Sequence, residues 1–465
     1  MPTIYSPSDR QLIAERPLAD DIQISDTLAN AYDAQKHWQQ TAIAERGAIC
    51  QKAIDWFSDH QTELAQEISQ LMGRPIQFAK GEIAGVKERG EYMIAIAEDA
   101  LKDLDVSDEN NPAFKRLIRR IPLGTAFIIA PWNYPYLTAI NSIIPALMAG
   151  NSIILKHASQ TLLCAEQFLR AFQAAGLPAG IFQYLHLDHS QTLGIIQNKD
   201  INFVSFTGSV SAGKVIEQAL AGCFKPLALE LGGKDPAYVR ADADLTDSIN
   251  NLVEGAFFNS GQSCCGIERI YVAQEIFSEF VAGFVAETKK LTLGHALEPS
   301  TSLGPMINQT AVDHAEQQVQ SALDAGATPH INDTDFKLDQ ALKQQGYYLK
   351  PQVLTQVKQD MAIMQEESFA PIIGILPVSD DAEALRHIND SAFGLTASVW
   401  TQNEKAFMNI SAGIEAGTVF MNRCDYLDPR LPWSGIKGSG RGCSLSQLAY
   451  QQLTRPQSIH IKRLV

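Results

Sequence analysis

Three features that would indicate a secreted, membrane or nucleic-acid-binding protein are scarce in this 465-residue sequence. Its seven cysteines are odd in number, dispersed, and lack C-x-x-C pairs, which excludes a disulfide framework and the usual zinc motifs. Apolar runs stay well below the roughly 18 residues that span a bilayer, and no basic and apolar leader opens the chain. Its 52 acidic residues outnumber 37 basic ones, and the net charge of −15 disfavours polyanionic partners. We therefore expect a cytoplasmic protein that acts on small molecules.

Two series of alternating strands and helices follow a helical N-terminal third. Residues 24–101 place apolar side chains three and four apart, as amphipathic helices do. From Thr125 onward, short apolar strands such as TAFIIA, NSIILK and INFVSFT are separated by helical segments, and a second series runs over roughly 235–419. This alternation is typical of doubly wound parallel sheets, which bind ligands at the carboxyl ends of their strands. The fold class is therefore α/β, with two sheet domains.

Two segments alternate like strands but lie outside both series. They are AFKRLIRRI at 113–121 and SIHIKRL at 458–464. Paired with each other, they would form a small flap sheet that reaches another subunit. An edge hairpin within one domain explains the same pattern equally well.

Two turns carry candidate chemistry. FFNSGQSCCGIERIYV presents the adjacent thiols of Cys264 and Cys265 after a Gly-Gln pair, and a thiolate in a polar turn is a strong nucleophile. Cys264 is the candidate, although an isolated cysteine is more often a small buried hydrophobe. GSVSAG at 208–213 follows a strand and opens a helix, where a phosphate could bind, or where the chain simply turns tightly.

Seven motifs in order resemble the NAD(P)-dependent aldehyde dehydrogenase superfamily across nearly the whole chain. They are PWNYP at 131–135, Lys156 ending SIILK, FTGSVSAGK at 206–214, LELGGKDP at 229–236, FFNSGQSC at 257–264, EESFAP at 366–371 and PWSGIKGSGRG at 432–442. The resemblance implies an aldehyde dehydrogenase-like fold with a Rossmann-type dinucleotide-binding domain (1–111 and 124–229), a second α/β catalytic domain (230–441) and a small β oligomerisation flap (112–123 and 442–465). It also implies a homodimer or homotetramer.

The family's chemistry assigns three catalytic roles. Cys264 would add to the aldehyde to give a thiohemiacetal, which loses hydride to leave a thioester. The side-chain amide of Asn133 would stabilise the oxyanion, and Glu230 would accept a proton from the water that hydrolyses the thioester. No metal is implied, and the pair His186 and His189 lacks further ligands.

The resemblance also predicts the residues that bind NAD or NADP: Trp132, Lys156, Ser159, Gly208, Ser209, Glu367 and Phe369. Many NAD-preferring relatives carry glutamate three residues after the lysine, where it repels a 2′-phosphate. Ser159 stands there instead, so we expect NADP to be accepted. The KHA triplet at 156–158 is similar to bacterial succinate-semialdehyde dehydrogenases.

The substrate is left open by the sequence. Some relatives specific for succinate semialdehyde carry arginine six residues before the cysteine, and Phe258 stands there instead, which favours an apolar aldehyde. Arg423 or Arg430 could supply the missing charge, whereas Asp425 and Asp428 in the same loop would favour a cationic aldehyde. Two other functions compete: an acylating, coenzyme A-dependent dehydrogenase, against which Glu230 argues, and a non-catalytic binding or structural protein on the same fold.

Overall fold

The computed structural model describes residues 1–336, 338 and 340–463. Its strands are β1 (Thr3–Tyr5), β2 (Leu12–Glu15), β3 (Leu104–Asp105), β4 (Phe114–Pro122), β5 (Thr125–Ala130), β6 (Ser152–His157), β7 (Phe182–Tyr184), β8 (Phe203–Thr207), β9 (Leu227–Glu230), β10 (Asp235–Val239), β11 (Ile267–Ala273), β12 (Thr328–Pro329), β13 (Gln352–Thr355), β14 (Ile372–Val378), β15 (Phe393–Gly394), β16 (Thr396–Trp400), β17 (Thr418–Met421), β18 (Ile436–Lys437), β19 (Gly440–Arg441) and β20 (Thr454–Lys462). Its α-helices are α1 (Asp21–Trp38), α2 (Ile43–Asp59), α3 (Gln61–Met72), α4 (Ile76–Leu101), α5 (Leu137–Ala149), α6 (Leu163–Ala174), α7 (His189–Gln197), α8 (Val210–Leu220), α9 (Leu245–Phe257), α10 (Phe277–Thr288), α11 (Gln309–Asp324), α12 (Gln340–Gln345), α13 (Ala362–Gln365), α14 (Asp381–Asn389), α15 (Glu404–Ser411) and α16 (Ser446–Gln452).

The first sheet has six strands in the order β19-β9-β8-β5-β6-β7. Strands β5 to β9 run parallel, and only β19 is antiparallel. Its central strands β5 and β6 are buried along their whole length, which explains why they read as continuous apolar runs rather than as alternating ones. From β5 the chain adds β6 and β7 on one side of the sheet and then β8 and β9 on the other. At such a change of direction a crevice opens at the carboxyl ends of the strands, here those of β5, β6 and β8.

The second sheet has seven strands in the order β12-β13-β14-β11-β10-β16-β17. All its pairings are parallel except that of β12 with β13. The core of this sheet is made of aliphatic and aromatic side chains from β10, β11, β14 and the helices α9 and α10. Both predicted sheets are confirmed.

The two isolated strands of the sequence pair with each other. β20 and β4 form a nine-residue antiparallel ladder, and β3 adds a third strand beside β4. Leu464, the last residue of the predicted strand, and Val465, the end of the predicted flap segment, lie outside the described residues. Helix α16, in the same C-terminal segment, packs its buried Ala449 and Tyr450 into the core beneath the first sheet. The interaction of this three-stranded sheet with another subunit stays a prediction.

None of the helices in residues 1–336, 338 and 340–463 is long and apolar enough to cross a membrane. The described residues also contain no group of three histidine, cysteine, aspartate or glutamate side chains arranged to hold a metal ion.

Candidate active site

Two cavities meet at Cys264 and Glu230. The first, which we call the α4 cavity, has a volume of about 400 Å³ and lies between α4, α5 and the loop around Asp425. The second, the sheet-edge cavity, has about 480 Å³ and lies at the carboxyl ends of β5, β6 and β8. Cys264 and Glu230 line both. A group held in one cavity therefore faces a group held in the other across this thiol and this carboxylate.

The loop that carries Cys264 is held in an unusual backbone conformation. A short 3-10 turn at 258–261 contains Asn259 and Ser260 at φ values of 55° and 57°, which non-glycine residues rarely adopt. At Gly261 a Cβ would lie 2.3 Å from the carbonyl oxygen of Ala370, so only glycine fits. The buried Gln262 accepts from the Ile307 amide at 2.8 Å and donates to the Asn259 carbonyl at 3.1 Å. These contacts fix where Cys264 points.

The two adjacent thiols occupy different environments. Cys264 is partly exposed, whereas Cys265 is only 3% exposed. The Cys265 thiol donates to Oδ1 of Asp425 at 2.9 Å. A hydrogen bond with Cys264 and burial both raise the pKa of Cys265 well above its usual value. Cys265 is therefore held as a neutral thiol, and Cys264 is the member of the pair that reaches both cavities.

Asn133 lies beside this loop. Its Nδ2 donates to the carbonyl of Gln262 at 3.3 Å, which leaves a second amide hydrogen for another acceptor. Its carbonyl accepts from Nη2 of Arg74 at 2.6 Å, and Nε of Arg74 donates to Oδ1 of Asn259 at 3.1 Å. Arg74 thus connects the Asn133 turn to the cysteine loop.

Glu82 completes this support. It forms a buried ion pair with Arg74, and its Oε1 accepts from the amides of Tyr136 and Leu137 at 2.8 and 3.1 Å. These amides have no partner within the helix because they lie at the start of α5, so the carboxylate that accepts from them fixes the helix end that follows the PWNYP turn. Neither Arg74 nor Glu82 was singled out from the sequence.

Glu230 ends β9 and reaches the junction of the cavities. Its Oε1 accepts from Oγ of Ser444 at 2.5 Å and its Oε2 from Oγ1 of Thr207 at 3.2 Å. Burial raises the pKa of Glu230, while these two hydrogen bonds and the charge of Arg89 lower it. The net effect is a raised pKa, which makes the ionised carboxylate a stronger base than an exposed glutamate.

Lys156 and Ser159 lie at one end of the sheet-edge cavity. Lys156 ends β6 and is 8% exposed, and its Nζ has no hydrogen-bond or ion-pair partner within the described part of the chain. Burial lowers its pKa. Ser159 is exposed three residues later, and His189, at the start of α7, lines the same end. A hydroxyl-bearing or phosphorylated group entering here would meet a lysine without a competing partner.

Gly208 and Ser209 form the entrance to α8. A Cβ on Gly208 would lie 2.6 Å from the ring of Phe206, so the close approach of backbone and ring requires glycine. Ser209 caps the helix by accepting from the Ala212 amide at 3.3 Å. The N-terminus of α8 therefore faces the sheet-edge cavity with its positive dipole end, as in sites that bind phosphate.

Glu367 and Phe369 lie opposite the first sheet. Glu367 accepts from the Gly233 amide at 3.1 Å, and burial together with the charge of Glu268 raises its pKa to about 7. Phe369 has a φ of 48° and meets the ring of Trp132 edge-on at 5.6 Å. All three predicted residues line the sheet-edge cavity.

A second buried ion pair, which the sequence did not reveal, holds the segment 367–369 in place. Nζ of Lys234 lies 2.7 Å from Oε2 of Glu268. The two oxygens of Glu268 accept from the amides of Ser368 and Phe369 at 2.7 and 2.8 Å. These charge-assisted bonds stabilise the left-handed conformation of Phe369.

The sequence left open which charged residues of the loop 423–430 reach the substrate. The guanidinium of Arg423 stacks 3.4 Å from the ring centroid of Tyr426, and Arg430 pairs with Asp428 at 3.5 Å. None of these three charged residues lines the α4 cavity, whereas Asp425 and Phe258 do. His186 lies 3.2 Å from Glu166 instead of pairing with His189 in a metal site.

The comparisons with known proteins agree with this geometry. The sequence profile of the aldehyde dehydrogenase family matches residues 2–459. The succinate semialdehyde dehydrogenase [NAD(P)+] Sad of Escherichia coli is 32% identical over 96% of this chain and 94% of its own length. A probable betaine aldehyde dehydrogenase of Schizosaccharomyces pombe is 30% identical over 98% of this chain and 91% of its own length.

Solved structures of aldehyde-oxidising enzymes are also similar to this chain. A 3,6-anhydro-L-galactose dehydrogenase in complex with NAP superposes with a TM-score of 0.93 and 30% identity over 99% of this chain and 96% of the other. A point mutant of betaine aldehyde dehydrogenase from Staphylococcus aureus, in complex with NAD+, superposes with a TM-score of 0.93 and 25% identity over 99% and 94%. The chain therefore belongs to the aldehyde dehydrogenase family and is an oxidoreductase that oxidises aldehydes to acids with NAD(P).

Proposed function

We propose that Cys264, Asn133 and Glu230 carry out the oxidation, with the aldehyde in the α4 cavity and the dinucleotide in the sheet-edge cavity. The observation that carries this assignment is that Cys264 and Glu230 line both cavities. A screen of aldehydes with NAD and with NADP, following the absorbance of the reduced nicotinamide, tests it. Oxidation of no aldehyde with either cofactor would contradict it.

The first step forms a carbon–sulfur bond. The Cys264 thiolate adds to the carbonyl carbon, and the carbonyl electrons move to the oxygen, which gives a thiohemiacetal oxyanion. Nδ2 of Asn133 has a hydrogen left after its bond to Gln262, and this hydrogen stabilises the oxyanion. Collapse of the oxyanion breaks the carbon–hydrogen bond and leaves a thioester on Cys264. The nicotinamide, when bound, supplies the acceptor for the two electrons and the hydrogen as hydride.

The second step removes the acyl group with water. Glu230 accepts a proton as water attacks the thioester carbon, and the carbon–sulfur bond breaks to release the acid and the Cys264 thiolate. The hydrogen bonds from Thr207 and Ser444 fix the orientation of this carboxylate. The presence of the Glu230 carboxylate favours water over coenzyme A as the acceptor of the acyl group.

The sheet-edge cavity fits a dinucleotide. The glycine cradle at Gly208 and the capped start of α8 suit the pyrophosphate, and the unpartnered Lys156 suits the adenosine ribose. Trp132, Glu367 and Phe369, near Cys264, suit the nicotinamide half. We assign Ser159 to the adenosine end, beside Lys156.

Replacing Ser159 by glutamate is expected to shift cofactor preference toward NAD. The new carboxylate would repel the 2′-phosphate of NADP that Lys156 otherwise attracts, so the ratio of kcat/KM for NAD to that for NADP should rise about ten-fold or more, equivalent to roughly 1.4 kcal/mol. Ser190 is exposed and is not among the residues that line the cavity, so Ser190→Glu places the same charge outside it and should leave the ratio within about two-fold. Steady-state kinetics with both cofactors measure this. An unchanged ratio in Ser159→Glu would remove Ser159 from the adenosine site.

We also propose the domain partition predicted above and a cytoplasmic homodimer or homotetramer assembled through the β3–β4–β20 sheet. β20 supports this assembly because seven of its nine residues are exposed, including Ile461 at 44%, while Ile459 on the same face is only partly buried. A double variant, Ile459→Glu with Ile461→Glu, is expected to sediment as a monomer in analytical ultracentrifugation. A sedimentation coefficient equal to that of the parent oligomer would contradict the flap assignment.

A further inference from the structure

The α4 cavity contains a cationic side chain without a carboxylate partner. Arg89, on α4, is 7% exposed. Its Nη1 donates to the carbonyl of Leu137 at 3.3 Å and to Oδ1 of Asn141 at 3.2 Å. Within the described residues, it forms no ion pair, and neither Nε nor Nη2 has an acceptor. Buried arginines are normally paired, so this one has donors to spare for a ligand.

Asn141, which also lines this cavity, carries a second donor without a partner. It lies on α5 and is 2% exposed. Its Oδ1 is occupied by Arg89, and its Nδ2 is buried without a hydrogen-bond partner. An unpartnered buried amide is destabilising unless a ligand or water accepts from it. Arg89 and Asn141 thus form a pair of adjacent donors that lacks an acceptor.

Arg89 and Asn141 lie close to the residues of the proposed reaction. Arg89 and Asn141 line the cavity together with Cys264 and Glu230. Burial lowers the pKa of Arg89, and the nearby groups that raise it are Cys265, Glu230, Glu88 and Cys264. A short substrate could therefore contact Cys264 at one end and Arg89 at the other.

Four carboxylates of the described residues line the cavity, and each accepts hydrogen bonds from groups other than Arg89; for Glu230 these groups are Ser444 and Thr207. Glu82 is paired with Arg74, and Asp425 accepts from Oγ of Ser263 and from the thiol of Cys265, both at 2.9 Å. Glu88 is exposed and accepts from the Tyr426 hydroxyl at 3.0 Å. None of these carboxylates forms an ion pair with Arg89, so its Nε and Nη2 stay open to the carboxylate of a ligand.

We propose that Arg89 and Asn141 bind the carboxylate of a short aldehyde acid, whose aldehyde group lies at Cys264. The guanidinium and the amide would each donate to the carboxylate, a charge-assisted contact of the kind that discriminates strongly against neutral analogues. This assignment rests on the proposed function, because it places the reactive end of the substrate at Cys264. It also predicts that the chain accepts a semialdehyde although Phe258 stands where some relatives carry arginine.

The experiment compares three aldehydes with the parent enzyme under saturating cofactor. Succinate semialdehyde carries a carboxylate, butanal is neutral and has the same number of carbons, and betaine aldehyde is cationic. We expect kcat/KM for succinate semialdehyde to exceed that for butanal by about 100-fold. Arg89→Met should lower kcat/KM for succinate semialdehyde about 100-fold, which corresponds to about 2.7 kcal/mol, and should change that for butanal less than three-fold.

A second variant keeps the contact between the two residues. Asn141→Asp retains an oxygen that accepts from Arg89 but replaces the open donor by a second oxygen. We expect kcat/KM for succinate semialdehyde to fall at least 30-fold, with butanal little changed and betaine aldehyde not reduced. Arg430→Met, an exposed arginine outside the cavity, serves as the matched control for loss of positive charge and should change all three less than two-fold.

The outcomes separate this inference from the proposed function. Two results would overturn the carboxylate site and leave the catalytic assignment in place. One is a parent enzyme whose kcat/KM for butanal equals that for succinate semialdehyde. The other is a variant that lowers kcat/KM for the two aldehydes equally while its melting temperature is unchanged. If Arg89→Met unfolds, the ratio of kcat/KM for succinate semialdehyde to that for butanal in Asn141→Asp decides whether the carboxylate site exists. Oxidation that persists in Cys264→Ala would overturn the proposed function and this inference with it.

Discussion

Replacing Cys264 by alanine is expected to abolish aldehyde oxidation, with a loss in kcat of at least about 10,000-fold, because Cys264 is the proposed carrier of the thioester and its thiol lies where the two cavities meet. Binding of NAD and NADP should persist, since the proposed contacts of Lys156, Gly208 and Ser209 with the adenosine and pyrophosphate do not involve the thiol. Dissociation constants from isothermal titration and rates from nicotinamide absorbance measure the two effects separately.

Cys265→Ala is the matched control for this loss. Its thiol is held by Asp425 and kept protonated, so its removal should lower kcat less than about three-fold. An active Cys264→Ala variant together with an inactive Cys265→Ala variant would mean that the nucleophile is the second thiol.

Replacing Glu230 by glutamine is expected to damage hydrolysis of the thioester selectively. The amide cannot accept the proton of the attacking water, so the steady-state rate should fall about 100- to 10,000-fold, whereas the first turnover should still produce a burst of reduced cofactor. Stopped-flow absorbance measures burst and steady state in one experiment. Loss of the burst along with turnover would assign Glu230 to an earlier step, such as activation of Cys264.

The same carboxylate gives the reaction a pH dependence. Glu230 accepts a proton only when ionised, and burial raises its pKa. The steady-state rate should therefore fall as the pH is lowered through this raised pKa, and the acid limb should disappear in Glu230→Gln.

The sequence predicted the fold and most candidate site positions because their signals are local. Runs such as TAFIIA and SIILK are bounded by turn residues and are short enough for buried parallel strands. Gly208 and Gly261 stand where a Cβ would collide with neighbouring atoms, so the motifs around them carry a steric requirement. All seven predicted cofactor residues line one cavity, although their binding roles stay predictions.

The supporting residues could not be predicted because their partners are distant in sequence. Arg74 contacts Asn133 and Asn259, and Glu268 holds the amide of Phe369, 101 positions later. A buried ion pair leaves no periodic pattern, and a charged residue within a helix normally indicates an exposed face. The sequence therefore carries no signal for Arg89, whereas its two candidate arginines, Arg423 and Arg430, lie outside the cavity.

The most direct test of the account is the mass of the covalent intermediate. Glu230→Gln would be mixed with succinate semialdehyde and NADP, quenched in acid during the burst, digested and analysed by mass spectrometry. The account predicts an acyl adduct on the thiol of Cys264, in an amount equal to the burst. An adduct on Cys265, or a full burst without any adduct on the peptide that contains both cysteines, would contradict it.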